Sequence, residues 1–328
     1  MSSVPPGGLI LVTGASGYIG SVTVQVFLQC GYRVRGSVRS IASNAWMKEY
    51  FGSKFELIEV PDLNAPDAFD KAIEGVDGIA HIAMDMDMNP QNHAIIENTI
   101  KSNLQLLKAA AKTIEQTVNP WNGEGNPRWY GIVLYGASKA RGEQEAFAWM
   151  REHKPAFSFN TVVPNVNFGI SISPENMSYR STSAVIDAAV KGYPAAPSIL
   201  PSQWYVDVED TALLHLGALT LDDVNGERLL AFAGKYSWTQ ILEILHRRYP
   251  DKVKLKSVDE LVVDAGEVDN ERSIEVLKKM GNEEGFTSLE DTLVKALDTI
   301  LANQSKSVPK TRIDLYYDSL ASTPTGDK

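Results

Sequence analysis

Residues 12–20, VTGASGYIG, place three evenly spaced glycines directly after an apolar run. Gly14, Gly17 and Gly20 separate a predicted strand, Leu9 to Val12, from a stretch whose apolar residues recur at helical spacing. Glycines here permit a tight turn, close approach of a phosphate and close packing of the helix. The exposed amides at the helix start then suit a pyrophosphate, although the spacing differs from the general dinucleotide fingerprint and a glycine-rich turn without a ligand is the alternative.

The segments that follow alternate between strands and helices. Three apolar stretches, at 33–40, 54–60 and 76–83, read as strands, and PDAFDKAIEG at 66–75 reads as a short helix. Residues 91–112 carry a long helical pattern. The alternation predicts an α/β fold, a Rossmann-type doubly wound parallel sheet with a smaller C-terminal substrate-binding cap.

The next strand of such a sheet is hard to find in the sequence. Residues 113–128 are rich in glycine, proline and asparagine, which indicates a loop. WYGIVL at 129–134 is then the only apolar run before the helix at 138–150, so it is predicted to be the missing strand. A further strand is expected within 157–169.

These patterns divide the chain into two expected domains. Residues 1–169, with a return segment at 203–235, form the predicted nucleotide-binding domain. Residues 170–202 and 236–302 form the predicted cap, and the polar tail 303–328 is expected to be frayed.

Composition restricts the classes of partner. The 328 residues carry a net charge of −10, which argues against nucleic acid. No apolar stretch is long enough to cross a bilayer and the first residues lack a charged leader, so a cytoplasmic protein without a membrane is expected. Cys30 is the only cysteine, which excludes a disulfide or a cysteine-based metal cluster within one chain.

Arg39 ends the second predicted strand, where an NAD-specific protein places an acidic residue. An arginine there suits a 2′-phosphate and favours NADP(H), although a solvated arginine is the simpler alternative. Asp62 and Leu63 are candidate neighbours of the adenine, but an aspartate in a loop is commonly a turn residue. His81 lies inside an apolar strand and is interpreted as a core histidine rather than a base.

Two Tyr-x-x-x-Lys pairs occur in the chain. Tyr50 and Lys54 precede the third strand, whereas Tyr135 and Lys139 are expected at a helix start between two strands, on one helix face. A neighbouring ammonium stabilises a phenolate and lowers its pKa from about 10. The second pair is therefore the catalytic candidate, and two ordinary helix residues are the alternative.

TGASGYIG, VRGSVRS, PDL, HIA, YGASK and VVPN occur in the order typical of one family. Together they resemble an extended short-chain dehydrogenase/reductase, similar to fungal aldehyde and ketone reductases and plant dihydroflavonol and cinnamoyl-CoA reductases. The resemblance implies that Tyr135 donates a proton to a carbonyl oxygen as hydride arrives, and that Lys139 activates it and holds the ribose. It also implies the cofactor contacts Gly14, Ser16, Gly17, Tyr18, Ile19, Gly20, Arg39, Asp62, Leu63, Ala83, Lys139 and Pro164.

The family's carbonyl-polarising serine has no counterpart before Tyr135. Thr113, Thr117 and Ser138 are all poorly placed for that role, so a weakened activity is expected. Candidate walls of the pocket for a small carbonyl substrate are Met84, Met86, Met88, Phe168 and Trp204, with ordinary packing as the alternative. A monomer or homodimer is expected, with no metal. A cofactor-binding regulatory protein and an epimerase, dehydratase or isomerase remain open as alternative functions.

Overall fold

A parallel sheet built around the first strand organises the N-terminal part of the protein. The computed structural model describes residues 3–84, 94, 97–100, 103, 127–259 and 264–322. The sheet has the order β3-β2-β1-β4, from β1 (Leu9–Thr13), β2 (Arg33–Val38), β3 (Phe55–Glu59) and β4 (Gly78–His81). All five residues of β1 are buried, as expected of a central parallel strand covered on both faces. The predicted α/β class is confirmed.

The helices of this region follow the strands that the sequence predicts. They are α1 (Tyr18–Gln29), α2 (Trp46–Phe51), α3 (Asp70–Ile73) and α4 (Pro127–His153). Leu11 of β1 packs with Phe69 and Ala72 at α3, which anchors that helix to the sheet. Residues 97–100 are helical as well, within the predicted long helix.

The prediction that WYGIVL forms a strand is wrong. Residues 129–134 lie within α4, and among the described residues β4 pairs with β1 alone. The buried positions 131, 134, 138, 142, 146 and 149 are three or four apart, the period of a helix. The helix begins at Pro127, a favoured first residue because its missing N–H needs no partner there.

The chain divides into two compact units. The first comprises residues 1–16, 27–161 and 218–227, and the second comprises 17–26, 162–217 and 228–328. The units assign 17–26, 162–169, 203–217 and 228–235 differently from the expected domains, whose boundaries stay a prediction.

The second unit contains two small sheets and most of the C-terminal helices. β5 (Thr161–Pro164) pairs with β8 (Arg228–Ala231), and the other sheet has the order β6-β7-β9. These strands are β6 (Val166–Phe168), β7 (Trp204–Asp207) and β9 (Gly234–Lys235). The helices are α5 (Pro174–Met177), α6 (Ser183–Lys191), α7 (Ala196–Ile199), α8 (Val208–Thr220), α9 (Trp238–Arg248), α10 (Glu271–Lys279), α11 (Leu289–Ala302) and α12 (Arg312–Ser322). No helix in the described ranges is long and apolar enough to cross a membrane.

The C-terminal tail differs from the frayed segment that its composition predicts. Helix α12 forms over Arg312–Ser322 and is held against α6. Tyr317 stacks on Tyr193 with ring centroids 4.1 Å apart, and Lys191 pairs with Asp314 at 2.7 Å. The aromatic and ionic contacts supply the packing that a polar tail lacks by itself.

Candidate active site

The glycine turn begins where β1 ends. Gly14 has a φ of +67°, and a Cβ added to it would lie 2.9 Å from the Cα of Ala83. Only glycine satisfies both conditions, the left-handed backbone and the close approach of β4's continuation. Farther along the turn, the amide of Ala15 donates to the carbonyl of Ser37 at 3.1 Å, and Ser16 is half-buried. The turn is therefore packed closely against the residues that follow β4 and hydrogen-bonded to β2.

Thr13 and His81 connect the ends of β1 and β4. The Thr13 hydroxyl accepts the amide N–H groups of Ile82 and Ala83, both at 3.0 Å, and lies 2.8 Å from His81 Nδ1. Because its two lone pairs are taken by amides, the hydroxyl donates its proton to Nδ1. The predicted core histidine is thus hydrogen-bonded to Thr13. Thr13 also holds the backbone of Ile82 and Ala83, the two residues before Met84.

The His81 ring is neutral at neutral pH. Burial lowers its pKa to about 4, and the positive charge of Lys139 acts in the same direction, while the Asn103 side chain opposes both. Phe69 meets the ring edge-on, at 5.8 Å between centroids. Since Nδ1 accepts, the neutral ring carries its proton on Nε2.

Arg39 is exposed immediately after β2. Its guanidinium makes no hydrogen bond or ion pair within the described part of the chain, and the carboxylate of Glu59 instead accepts the amide of Ile41. The arginine is therefore available to a phosphate without breaking a described contact, and its role stays a prediction.

Asp62 and Leu63 follow β3. The Asp62 carboxylate accepts the amide of Asn64 at 2.8 Å, which is the turn geometry that the simpler interpretation expects. Leu63 packs against the cluster around Leu11 and Phe69. Contact of either residue with adenine stays a prediction.

Tyr135 and Lys139 lie one turn apart in α4. The helix begins eight residues before Tyr135, so the expected position at a helix start is wrong. Tyr135 is half-buried, and burial raises its pKa, the direction opposite to that expected from a neighbouring ammonium.

Lys139 is exposed as a whole residue, yet protein around its amine desolvates the charge and lowers its pKa. The Glu143 carboxylate, one turn farther along α4, opposes that lowering. Glu143 in turn accepts the Thr161 hydroxyl at 2.6 Å. The pKa of Lys139 is thus set by two opposed effects: desolvation lowers it and the nearby Glu143 carboxylate raises it.

Ser138 does not supply a spare hydroxyl. It is buried and donates to the carbonyl of Tyr135 at 2.7 Å, a bond within its own helix turn. Thr113, Thr117, Met86 and Met88 lie outside the described residues. The absence of a carbonyl-polarising serine stays a prediction.

The remaining cofactor candidates belong to the second unit. Gly17 precedes α1, and Tyr18, Ile19 and Gly20 form its first turn. The Tyr18 hydroxyl is buried without a hydrogen-bond partner among the described residues, and burial, Asp207 and Glu209 raise its pKa well above its usual value.

Pro164, Phe168 and Trp204 lie on three strands of that unit. Pro164 ends β5, and Phe168 is fully buried against Tyr236, as the packing alternative expects. Trp204 is 8% exposed, with Lys235 over its ring, and its indole N–H has no partner in the ranges described. Their contact with a cofactor or substrate stays a prediction.

The sequence analysis missed Thr13 and Glu143. Thr13 and His81 occupy paired positions at the ends of neighbouring parallel strands, so aligning the strand ends would have brought them together. Glu143 stands four residues after Lys139, a spacing that places both on one helix face.

Known proteins resemble this chain over most of its length. The sequence profile of the NAD dependent epimerase/dehydratase family matches residues 10–229, and the chain belongs to this family. It is 34% identical to the NAD-dependent epimerase/dehydratase terH of Aspergillus terreus, over 91% of this chain and 98% of terH. It is 32% identical to the ketoreductase adrE of Penicillium rubens, over 88% and 96% of the two chains.

Solved structures share the fold. Gre2 from Candida albicans, in complex with NADPH, superposes with a TM-score of 0.74 at 21% identity, over 92% of this chain and all of Gre2. At this identity the likeness establishes the fold. The family resemblance inferred from the motifs is confirmed.

Proposed function

We propose that this protein reduces an aldehyde or ketone to an alcohol with NADPH. The observation that carries the proposal is the Tyr135–Lys139 pair, one turn apart on α4 in the unit that also contains Gly14. The named ketoreductase adrE, 32% identical over most of both chains, supports a carbonyl substrate.

The residues of the glycine turn fit a dinucleotide. Gly14 has the positive φ that turns the chain at the end of β1. The proposed contacts of the pyrophosphate are the backbone amides of Ser16, Gly17, Tyr18, Ile19 and Gly20. Arg39 would pair with the 2′-phosphate, and Asp62 and Leu63 would flank the adenine. Ala83, Lys139 and Pro164 would contact the remainder of the cofactor. When bound, the nicotinamide supplies the hydride.

Tyr135 and Lys139 carry out the proton transfer in this proposal. Tyr135 donates its phenolic proton to the carbonyl oxygen as charge develops there, and Lys139 returns a proton to the tyrosine. Burial of Tyr135 keeps the phenol protonated before the reaction, since it raises the pKa. Met84, Met86, Phe168 and Trp204 are the predicted contacts of the carbonyl substrate.

An assay of cofactor consumption tests this function. NADPH absorbance should fall with members of a panel of aliphatic and aromatic aldehydes and ketones, with one alcohol formed per NADPH consumed. An epimerase or dehydratase, which the name of terH favours, would change substrate without net NADPH consumption. Tight NADPH binding without turnover on the whole panel would instead support the regulatory protein and contradict the reductase.

A further inference from the structure

We propose that residues 173–181 and the loop 303–311 form a conformational latch, closed by the side chain of Ser178. The Ser178 hydroxyl donates to the carbonyl of Pro309 at 2.6 Å, although the two residues are 131 positions apart in the sequence. Both segments belong to the second unit. In the closed latch Ser178 is held in a strained backbone conformation, and release of the bond lets that residue relax.

The backbone strain at Ser178 is unusual for a serine. Its φ of +62° and ψ of 176° fall in a region that is essentially restricted to glycine. Five non-glycine residues in the described ranges have a positive φ, and three of them, Ser173, Ser178 and Ser181, lie within nine residues. Strain of this kind persists where surrounding contacts fix the backbone, and it is typical of ligand clamps and switch segments.

Contacts on both sides of Ser178 fix its backbone. Met177 and Tyr179 are 5% and 6% exposed, so the side chains before and after Ser178 are anchored in the interior. The Ser178 amide donates to the carbonyl of Pro174 at 2.7 Å. A glycine could make that amide bond with less strain, but it could not supply the hydroxyl that reaches Pro309. The bond to the loop therefore accounts for a serine at this position.

The loop 303–311 has few other contacts that would keep it closed. Six of its nine residues are exposed, and Val308 is partly buried against the main cluster of this unit. Lys306 pairs with Glu175 at 3.1 Å, but an ion pair at the surface contributes little to stability. The Ser178 hydrogen bond is thus an important attachment of the loop, and its loss should increase opening.

Two opposed contributions set the balance of the latch. The hydrogen bond favours the closed state, whereas the strain at Ser178 favours release, and the two are of the same order. The closed and open states therefore differ little in free energy, as a two-state element requires.

The latch affects the proposed substrate pocket through the chain that precedes it. Phe168, a predicted wall of that pocket, ends β6 five residues before Ser173. A closed latch limits the movement of the chain that follows this wall. This consequence rests on the proposed function, whereas the latch itself does not.

Hydrogen exchange of the full-length protein, read by mass spectrometry, tests the Ser178 bond. Ser178→Ala removes the hydroxyl, so amide exchange within 304–311 should become about twofold to tenfold faster. The Lys306 amide, bonded to the carbonyl of Asn303 at 3.0 Å, is a reporter within the loop. Ser307→Ala removes an exposed hydroxyl of the same loop and should leave exchange unchanged. Parent-level exchange in Ser178→Ala would overturn the proposal.

A comparison of glycine with alanine at position 178 tests the strain. Alanine is ordinarily the more stabilising of the two, because glycine leaves the unfolded chain more freedom. At a positive φ the order reverses, so Ser178→Gly should unfold at a higher urea concentration than Ser178→Ala. Ser307→Gly and Ser307→Ala form the matched control and should keep the ordinary order. A midpoint of Ser178→Gly equal to or below that of Ser178→Ala would contradict the strained conformation.

Two further readouts separate the latch from the reductase function. Backbone couplings of Ser178 in the parent protein should report a positive φ, and a negative φ would overturn the proposal without any variant. On a carbonyl that the parent reduces, Ser178→Ala should raise KM by about twofold to tenfold and leave kcat nearly unchanged. If no carbonyl is reduced but loop exchange increases in Ser178→Ala, the reductase function fails and the latch stands. Unchanged loop exchange would reject the latch whatever the activity.

Discussion

Arg39 is the predicted partner of the 2′-phosphate that distinguishes NADPH from NADH. It stands at the end of β2, exposed and without a partner in the described part of the chain. Its planar guanidinium matches a 2′-phosphate, which NADPH carries and NADH lacks.

Replacing Arg39 by alanine should therefore weaken NADPH binding and leave NADH binding nearly unchanged. Loss of a charge-assisted contact costs about 1.5–3 kcal/mol, or roughly tenfold to a hundredfold in the NADPH dissociation constant. Fluorescence titration of both cofactors measures the change. Arg33→Ala, at the exposed start of the same strand, is the control. Equal NADPH affinities for Arg39→Ala and the parent chain would contradict the assignment.

The glycine turn could be predicted in detail because its constraint is local. Gly14 needs a positive φ, which follows from a turn between a strand and a helix. The partner of His81 could not be found that way, because Thr13 is 68 residues away and meets it only through the strand register.

Helix α4 is the element that sequence reasoning assigned incorrectly. WYGIVL is a short apolar run, and such a run fits a buried strand or a turn of a buried helix equally well. The choice of a strand came from expecting one more strand, whereas the spacing of buried positions through Trp149 and the start at Pro127 indicate one helix.

Two lysine substitutions distinguish a helix from a strand in this segment. Ile132 is 39% exposed and Leu134 is 5% exposed, although residues two apart would share a face in a strand. Ile132→Lys should change the free energy of unfolding by less than about 0.5 kcal/mol. Leu134→Lys should cost more than about 2 kcal/mol, because it removes a core side chain and buries an amine. Urea unfolding compares them, and equal losses would favour a strand.

The stability of the folded protein should depend on pH through buried groups in both units. His81 has a pKa of about 4 in the folded chain, below the 6.5 of an unperturbed histidine. Between these values the unfolded chain binds more protons, so the free energy of unfolding rises with pH. His81→Asn should flatten this rise in urea titrations from pH 4.5 to 6.5, and an unchanged slope would contradict the low pKa.

Asp210, in the second unit, changes the pH dependence of the free energy of unfolding in the opposite direction. Burial raises its pKa to about 6, although Thr287 donates two hydrogen bonds to it. Between pH 3.8 and about 6 the folded chain binds more protons, so this group lowers the free energy of unfolding as pH rises. The net slope of the parent protein therefore contains opposed contributions, and the His81→Asn difference isolates the one from His81.

The turnover of Tyr135→Phe tests the proposed chemistry most directly. On a carbonyl that the parent protein reduces, the variant should lose about 100-fold to 10,000-fold in kcat, because proton donation is removed while the ring stays. Its NADPH dissociation constant should stay close to that of the parent. Tyr50→Phe, at a 48% exposed tyrosine of the other Tyr-x-x-x-Lys pair, is the matched control and should keep full activity. Parent-level kcat in Tyr135→Phe, or an equal loss in Tyr50→Phe, would contradict the assignment of Tyr135 as the proton donor.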